Sequence, residues 1–138
     1  MKIISLEFRG YWLESNKESI PKQSGIYCVY TCKYNIESDN VTIHKLLYIG
    51  ESSDVNARIQ SHNRLLDWTK ELQHDEELCY SFAHIASEDR ERGEAALIFH
   101  HQPPMNEEHK NHFVYPNTKM ILSGKIKFLN ESFIVDGE

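Results

Sequence analysis

Residues 24–33, Ser-Gly-Ile-Tyr-Cys-Val-Tyr-Thr-Cys-Lys, and residues 46–54, Leu-Leu-Tyr-Ile-Gly-Glu-Ser-Ser-Asp, decide how this chain folds. Both are rich in the β-branched and aromatic side chains that suit a pleated surface. The polar stretch Asn35 to Asn40 lies between them, so the pattern predicts strands over 25–33 and 41–49 joined as a long antiparallel hairpin. Gly50 ends that hairpin. Ser52 or Ser53 then caps a helix, with Asp54 in the first turn where negative charge suits the dipole. Val55, Ile59, Leu65, Leu66 and Leu72 recur at helical spacing and predict one helix over about 54–73.

Working outward, residues 3–13 read as a strand interrupted by Gly10, and 78–86 as another. A second helix opens at Ser87-Glu88-Asp89 and is halted by Pro103-Pro104. The tail shows short strand-like pieces at Val114-Tyr115 and within 119–135. The expected fold class is α+β: a central antiparallel sheet flanked by helices, with an extra N-terminal strand and a C-terminal β extension.

A chain of 138 residues has room for a single domain with one core. Its 40% hydrophobic and 26% charged content is ordinary for a globular protein and argues against wholesale disorder. No apolar run approaches the ~20 residues that span a bilayer. The opening Met1-Lys2-Ile3-Ile4-Ser5 meets Glu7 and Arg9 too early for a secretion signal. Cys28, Cys32 and Cys79 are odd in number and lack paired spacing, which points to reduced, buried thiols and a cytoplasmic setting.

The net charge of −6 argues against a nucleic-acid partner. Its distribution softens the objection. Residues 71–94 hold eight acids against Arg90 and Arg92, so the rest of the chain balances 13 acids with 13 bases. One side is acidic and the remainder is free to present a local basic groove.

Several polar residues carry chemistry. Arg58 and His62 stand four apart on the predicted helix, hence on one face, ten residues or more beyond Tyr48. Glu94 lies in the second helix among Gly93, Ala95 and Ala96, and Asn106 follows the double proline. With Tyr27, the set is two phenols, a guanidinium, an imidazole, a carboxylate and an amide. One carboxylate can hold Mg²⁺ or Mn²⁺, because such ions keep several waters and take other ligands from phosphate. Arginine matches phosphate bidentately, and a phenol or imidazole can accept a proton from attacking water. A phenol with a reference pKa near 10 needs about 4 kcal/mol of help at pH 7.

Taken singly, each of these residues reads as structure: tyrosines pack, and Arg58, His62 and Glu94 suit solvated helix faces. The conjunction carries the functional reading. The pairs His100-His101 and His109-x-x-His112 are weaker candidates for a metal site, since no cysteine or acid falls at the usual zinc spacing.

Gly25-Ile26-Tyr27, then Tyr48-Ile49-Gly50 with Arg58, His62, Glu94, Pro104 and Asn106, resemble the motifs of the GIY-YIG nuclease superfamily across residues 24–106. Residues 107–138 would then be a C-terminal extension to that core. The resemblance implies a three-stranded antiparallel sheet flanked by helices and metal-dependent endonuclease cleavage of DNA. By similarity, Glu94 would bind the ion, Arg58 would contact the scissile phosphate and Asn106 would brace the site. Tyr27 and Tyr48 would orient or deprotonate water with help from His62. The twenty residues between Tyr27 and Tyr48 exceed the spacing of many members, and Lys33 to Lys45 is expected to lengthen the hairpin. No appended specificity module is visible, so an inactive nucleic-acid-binding or protein-interaction module of the same fold is the alternative. Double-strand cutting would ask for a homodimer or a second encounter.

Overall fold

The computed structural model describes residues 1–137. Strand β1 (Lys2–Leu13) shows how side-chain alternation sets the sheet: Ile4, Leu6 and Phe8 point inward while Ile3, Ser5 and Glu7 face out. Gly10 interrupts the strand as expected, with a register shift between Gly10 and Trp12. That irregularity moves Trp12 to the opposite face from Phe8. A Cβ at Gly10, whose φ is +143°, would lie 2.9 Å from the Tyr80 carbonyl oxygen. A 3₁₀ turn, Glu14–Ser19, then leads to β2 (Gly25–Asn35) and β3 (Asn40–Ser52).

β2 and β3 form the long hairpin, and residues 33–45 lengthen it as expected. Tyr34 Oη donates to Asp39 Oδ1 at 2.7 Å across the tip, where Asp39 takes φ 50°. Register shifts near Val29 and Thr31 leave Leu47 and His44 as extra residues on β3. The first of these lets Leu47 and Tyr48, neighbours in sequence, pack into one cluster.

The single helix expected over 54–73 is two short ones, α1 (Val55–Gln60) and α2 (Leu65–Thr69). Asp54 is the cap, its side chain accepting from Ala57 N. Ser61 leaves helical geometry at φ −132°, ψ 35°, so His62 lies beyond the end of α1 and not on a shared face with Arg58. The His62 ring replaces the continuing ladder, accepting the Arg64 N–H at Nδ1. Apolar residues recur at helical spacing on both sides of this break, Val55 and Ile59 before it and Leu65, Leu66 and Leu72 after it, which is why periodicity reads through it.

β4 (Glu77–His84) is buried on both faces and pairs antiparallel with both β2 and β1. α3 (Ser87–His101) is the one long helix, closed by Gln102 in left-handed geometry before the two prolines. β5 (Thr118–Gly124) and β6 (Ser132–Val135) complete the sheet. Val114-Tyr115 is not a strand, and Lys125–Leu129 turns between β5 and β6, with Phe128 at φ 66°.

Among the described residues the molecule is an α+β protein with a six-stranded, mixed, curled sheet in the order β3-β2-β4-β1-β5-β6 and four helical segments. The sheet is mixed rather than antiparallel throughout, because β1 runs parallel to β5 from Lys2–Thr118 to Phe8–Gly124. Apolar alternation fixes faces and is silent on strand direction. α1 and α2 cover one face with Val55, Ile59 and Trp68 against Tyr27, Val29, Tyr80 and Phe82. α3 covers the other with Ala95, Ala96 and Ile98 against Ile26, Cys28 and Ile49. Cys28, Cys32 and Cys79 are buried free thiols, and burial pushes the Cys28 thiol up to about 12. No helix among the described residues is long and apolar enough to cross a membrane.

Phe82 is fully buried at the centre of this arrangement, its ring where a Cβ on Gly25 would sit. Phe82→Ala is expected to cost about 3–5 kcal/mol in denaturant unfolding. A loss below about 1 kcal/mol would contradict the packing described.

Candidate active site

The hairpin register places Tyr27 directly across from Gly50. A Cβ at Gly50 would meet the Tyr27 ring and hydroxyl at 2.3 Å, so only glycine lets the phenol lie there. Tyr27 Oη is 2.8 Å from His62 Nε2. Since the Arg64 N–H occupies His62 Nδ1 at 3.0 Å, the neutral ring carries its hydrogen on Nε2 and donates it to Tyr27. Burial, then Arg58 and Arg64, lower the His62 pKa to about 4, which keeps the ring neutral. His62 therefore supports oxygen charge on Tyr27 and is not placed to take its proton. Behind it, the Trp68 ring lies 4.3 Å from the imidazole and 5.2 Å from Tyr48, centroid to centroid.

In front of Tyr27 opens a polar cavity of about 350 Å³. Tyr27, Tyr48, Arg58, Glu94 and Asn106 all line it, and His62 holds Tyr27 from behind. The six residues singled out in the sequence thus come together from β2, β3, α1, α3 and two loops. Arg58 is tethered by Nη2 to Asn63 Oδ1 at 3.0 Å. Asn106 bonds both backbone groups of Ile49, accepting from its N–H and donating to its carbonyl, each at 2.9 Å. An amide can complete that reciprocal pair; a carboxylate has no donor for it. With Met105 N donating to Leu47 O at 2.9 Å, the bond seals the segment onto the outer edge of β3.

The cavity is also lined by Glu51, Arg64, Glu107 and Glu108, to which the sequence reading gave no role, and by His109, which it set aside as a metal ligand. Glu51 ion-pairs with Arg90, which also donates to Ser24 Oγ at 3.0 Å. Arg64 donates from Nη2 to Met105 O at 2.9 Å, and its guanidinium sits 5.8 Å from the Tyr48 ring centroid. Its Nε is 3.2 Å from Asp67 Oδ2, at an angle that makes no hydrogen bond. His109 Nε2 lies 3.5 Å from Glu94 Oε1. The run Glu107-Glu108-His109 gives no hint in sequence of which cavity it faces.

Electrostatics set the protonation of the site. Burial raises both tyrosines above the usual phenol range; for each, Arg58 pulls the other way. Burial, then Glu51, Glu108 and Glu91, push the Glu94 carboxyl up to about 8, partly offset by the Glu51 N–H that bonds it. The donor set is short of positive charge, and the Glu94 side chain is 16% exposed. Its carboxyl faces a cavity with room for an ion and several waters, and these features fit a divalent cation. Nowhere among the described residues do three His, Cys, Asp or Glu side chains converge on one point.

No protein-family model matches the chain, and no curated protein or solved structure is significantly similar to it.

The raised Glu94 pKa has a consequence for stability. Between about pH 4.5 and 8 the folded chain holds a proton that the unfolded chain has released, so this group's contribution to stability falls as pH rises. Glu94→Gln, neutral at every pH, is therefore expected to exceed wild type by on the order of 1–4 kcal/mol at pH 9 without divalent ions, and to match it near pH 4. Thermal denaturation at the two pH values checks this; an unchanged difference between them would contradict it.

Proposed function

We propose that the protein is a divalent-metal-dependent endonuclease that hydrolyses DNA phosphodiester bonds, with a GIY-YIG-like core. The antiparallel trio β3-β2-β4 with α1 and α3 would be that core, with β1 and β5–β6 built onto it. The observation that carries the reading is the convergence of Tyr27, Tyr48, Arg58, Glu94 and Asn106 on one polar cavity. Packing alone gives no reason for phenols, a guanidinium and a buried carboxylate to share one opening.

Each residue has a task that its surroundings suit. Arg58, held by Asn63, binds the phosphate and steadies charge that grows there in the transition state. Tyr27 receives the His62 hydrogen bond, so its own hydroxyl hydrogen is free to point into the cavity and orient the attacking water. His62 also lowers the cost of Tyr27 releasing that hydrogen to water in the cavity, the state in which the phenolate oxygen can take a proton from the attacking water. Tyr48 faces the same space beside Arg64. Asn106 fixes the end of β3, on which Tyr48 and Gly50 sit. Glu94 would hold the Mg²⁺ or Mn²⁺, which when bound would supply Lewis-acid stabilisation of phosphate charge. Arg64 adds a second guanidinium for a neighbouring backbone phosphate.

The direct test is nicking of supercoiled plasmid with Mg²⁺ or Mn²⁺, wild type beside Glu94→Ala. Metal-dependent nicking that falls at least about 100-fold in the variant is expected. Full activity in Glu94→Ala would defeat the mechanism, and DNA binding without cleavage by wild type would favour the non-catalytic module.

Arg64 makes a separate prediction, read by DNA binding with Ca²⁺ in place of the active ion. Arg64→Gln is expected to reduce the slope of log affinity against log salt by about 0.7–0.9, the loss of one phosphate contact. An unchanged slope would confine Arg64 to supporting Tyr48 and Met105.

A further inference from the structure

The segment after α3 folds back over the helix it leaves. Gln102 turns the chain in left-handed geometry, and its side chain bridges Phe99 O and Lys110 O at 2.8 and 2.9 Å. Lys110 Nζ closes the loop on Pro103 O at 2.7 Å, while Asn106 pins its other side to Ile49. His109 itself takes φ 65°, a region that histidine, asparagine and aspartate enter more readily than other residues with a Cβ. The result is an imidazole returned to the cavity, its Nε2 3.5 Å from Glu94 Oε1 and 3.9 Å from Glu108 Oε2.

We propose that Glu94 and His109 together form a carboxylate–imidazole site for one divalent transition-metal ion, taking Mn²⁺ in preference to Mg²⁺. This deepens the reading of Glu94 as the metal-holding residue and rests on it. Two donors each about 2.1 Å from one ion, and separated as these are, subtend roughly 110°, which first-row ions accommodate with little movement of either side chain. Imidazole nitrogen suits transition metals, whereas Mg²⁺ holds to oxygen and keeps its waters, so the nitrogen sets the preference. The acid partner that zinc-like spacing could not supply to His109 in sequence comes from α3, fifteen residues earlier. Without an ion the same two groups simply face each other at 3.5 Å; direct nitrogen coordination separates the two arrangements.

The test uses the full chain with Mn²⁺ as the probe, read by pulsed electron paramagnetic resonance. Wild type is expected to show modulation from a directly bound ¹⁴N that disappears in His109→Asn, a residue at home in the left-handed backbone. The same substitution is expected to weaken Mn²⁺ at least about 10-fold and Mg²⁺ by less than about 3-fold. His109→Gln gives a second variant if the first folds poorly by circular dichroism. Mn²⁺ bound through oxygen alone, or nitrogen modulation that persists in both variants, overturns the proposal even if the protein cleaves DNA. Nitrogen modulation without cleavage keeps the metal site and removes the nuclease. Failure of wild type to bind Mn²⁺ overturns the metal site, and nicking with Mg²⁺ then decides the nuclease by itself.

Discussion

The buried contact between Tyr27 Oη and His62 Nε2, made over a glycine, is the constraint around which the site is arranged. It needs three separate things at once. β2 and β3 must pair in the one register that sets Tyr27 opposite Gly50. Residue 50 must lack a side chain. α1 must stop at Gln60, so that His62 can swing out of helical geometry and take the Arg64 N–H. A register slip of one residue would send Tyr27 to the α3 face and leave the imidazole without its partner.

Much of this was legible in the sequence, and what was not has physical reasons. The hairpin, β4 and α3 announce themselves through side-chain pattern and through Pro103-Pro104. Tyr27, Tyr48, Arg58, Glu94 and Asn106 are residues whose chemistry asks to be combined, and the fold brings them to one cavity. The break at Ser61 was hidden because Ile59, Leu65 and Leu72 keep helical spacing across it. The parallel pairing of β1 with β5 joins residues more than a hundred positions apart, and no local pattern encodes direction. Arg64 was missed, and His109 set aside, for a related reason. Each is one more charge or ring in a polar run until tertiary structure decides which way it faces.

The site also explains where the chain accepts a cost. Glu94 is surrounded by other carboxylates and largely removed from water, an arrangement that opposes its charged form. Nearby, Glu51 is neutralised by Arg90, and Arg64 is drawn towards Asp67 and Glu107. Glu94 lacks such a partner beyond the His109 contact. An ion that replaced the proton on Glu94 would relieve this imbalance, and the stability lost in its absence is the reverse side of affinity for it. Glu51, Glu107 and Glu108 line the same cavity and would supply the surplus negative charge that a cation there needs.

If Tyr27 and His62 act as one unit, removing either should remove the contribution of both. The measurement that tests this most directly is a double-mutant cycle on single-turnover DNA cleavage with Tyr27→Phe, His62→Gln and the pair. The account predicts that each single substitution slows cleavage and that the double is no more than about 3-fold slower than the worse single. Losses that multiply would mean the two side chains contribute independently and would contradict the account.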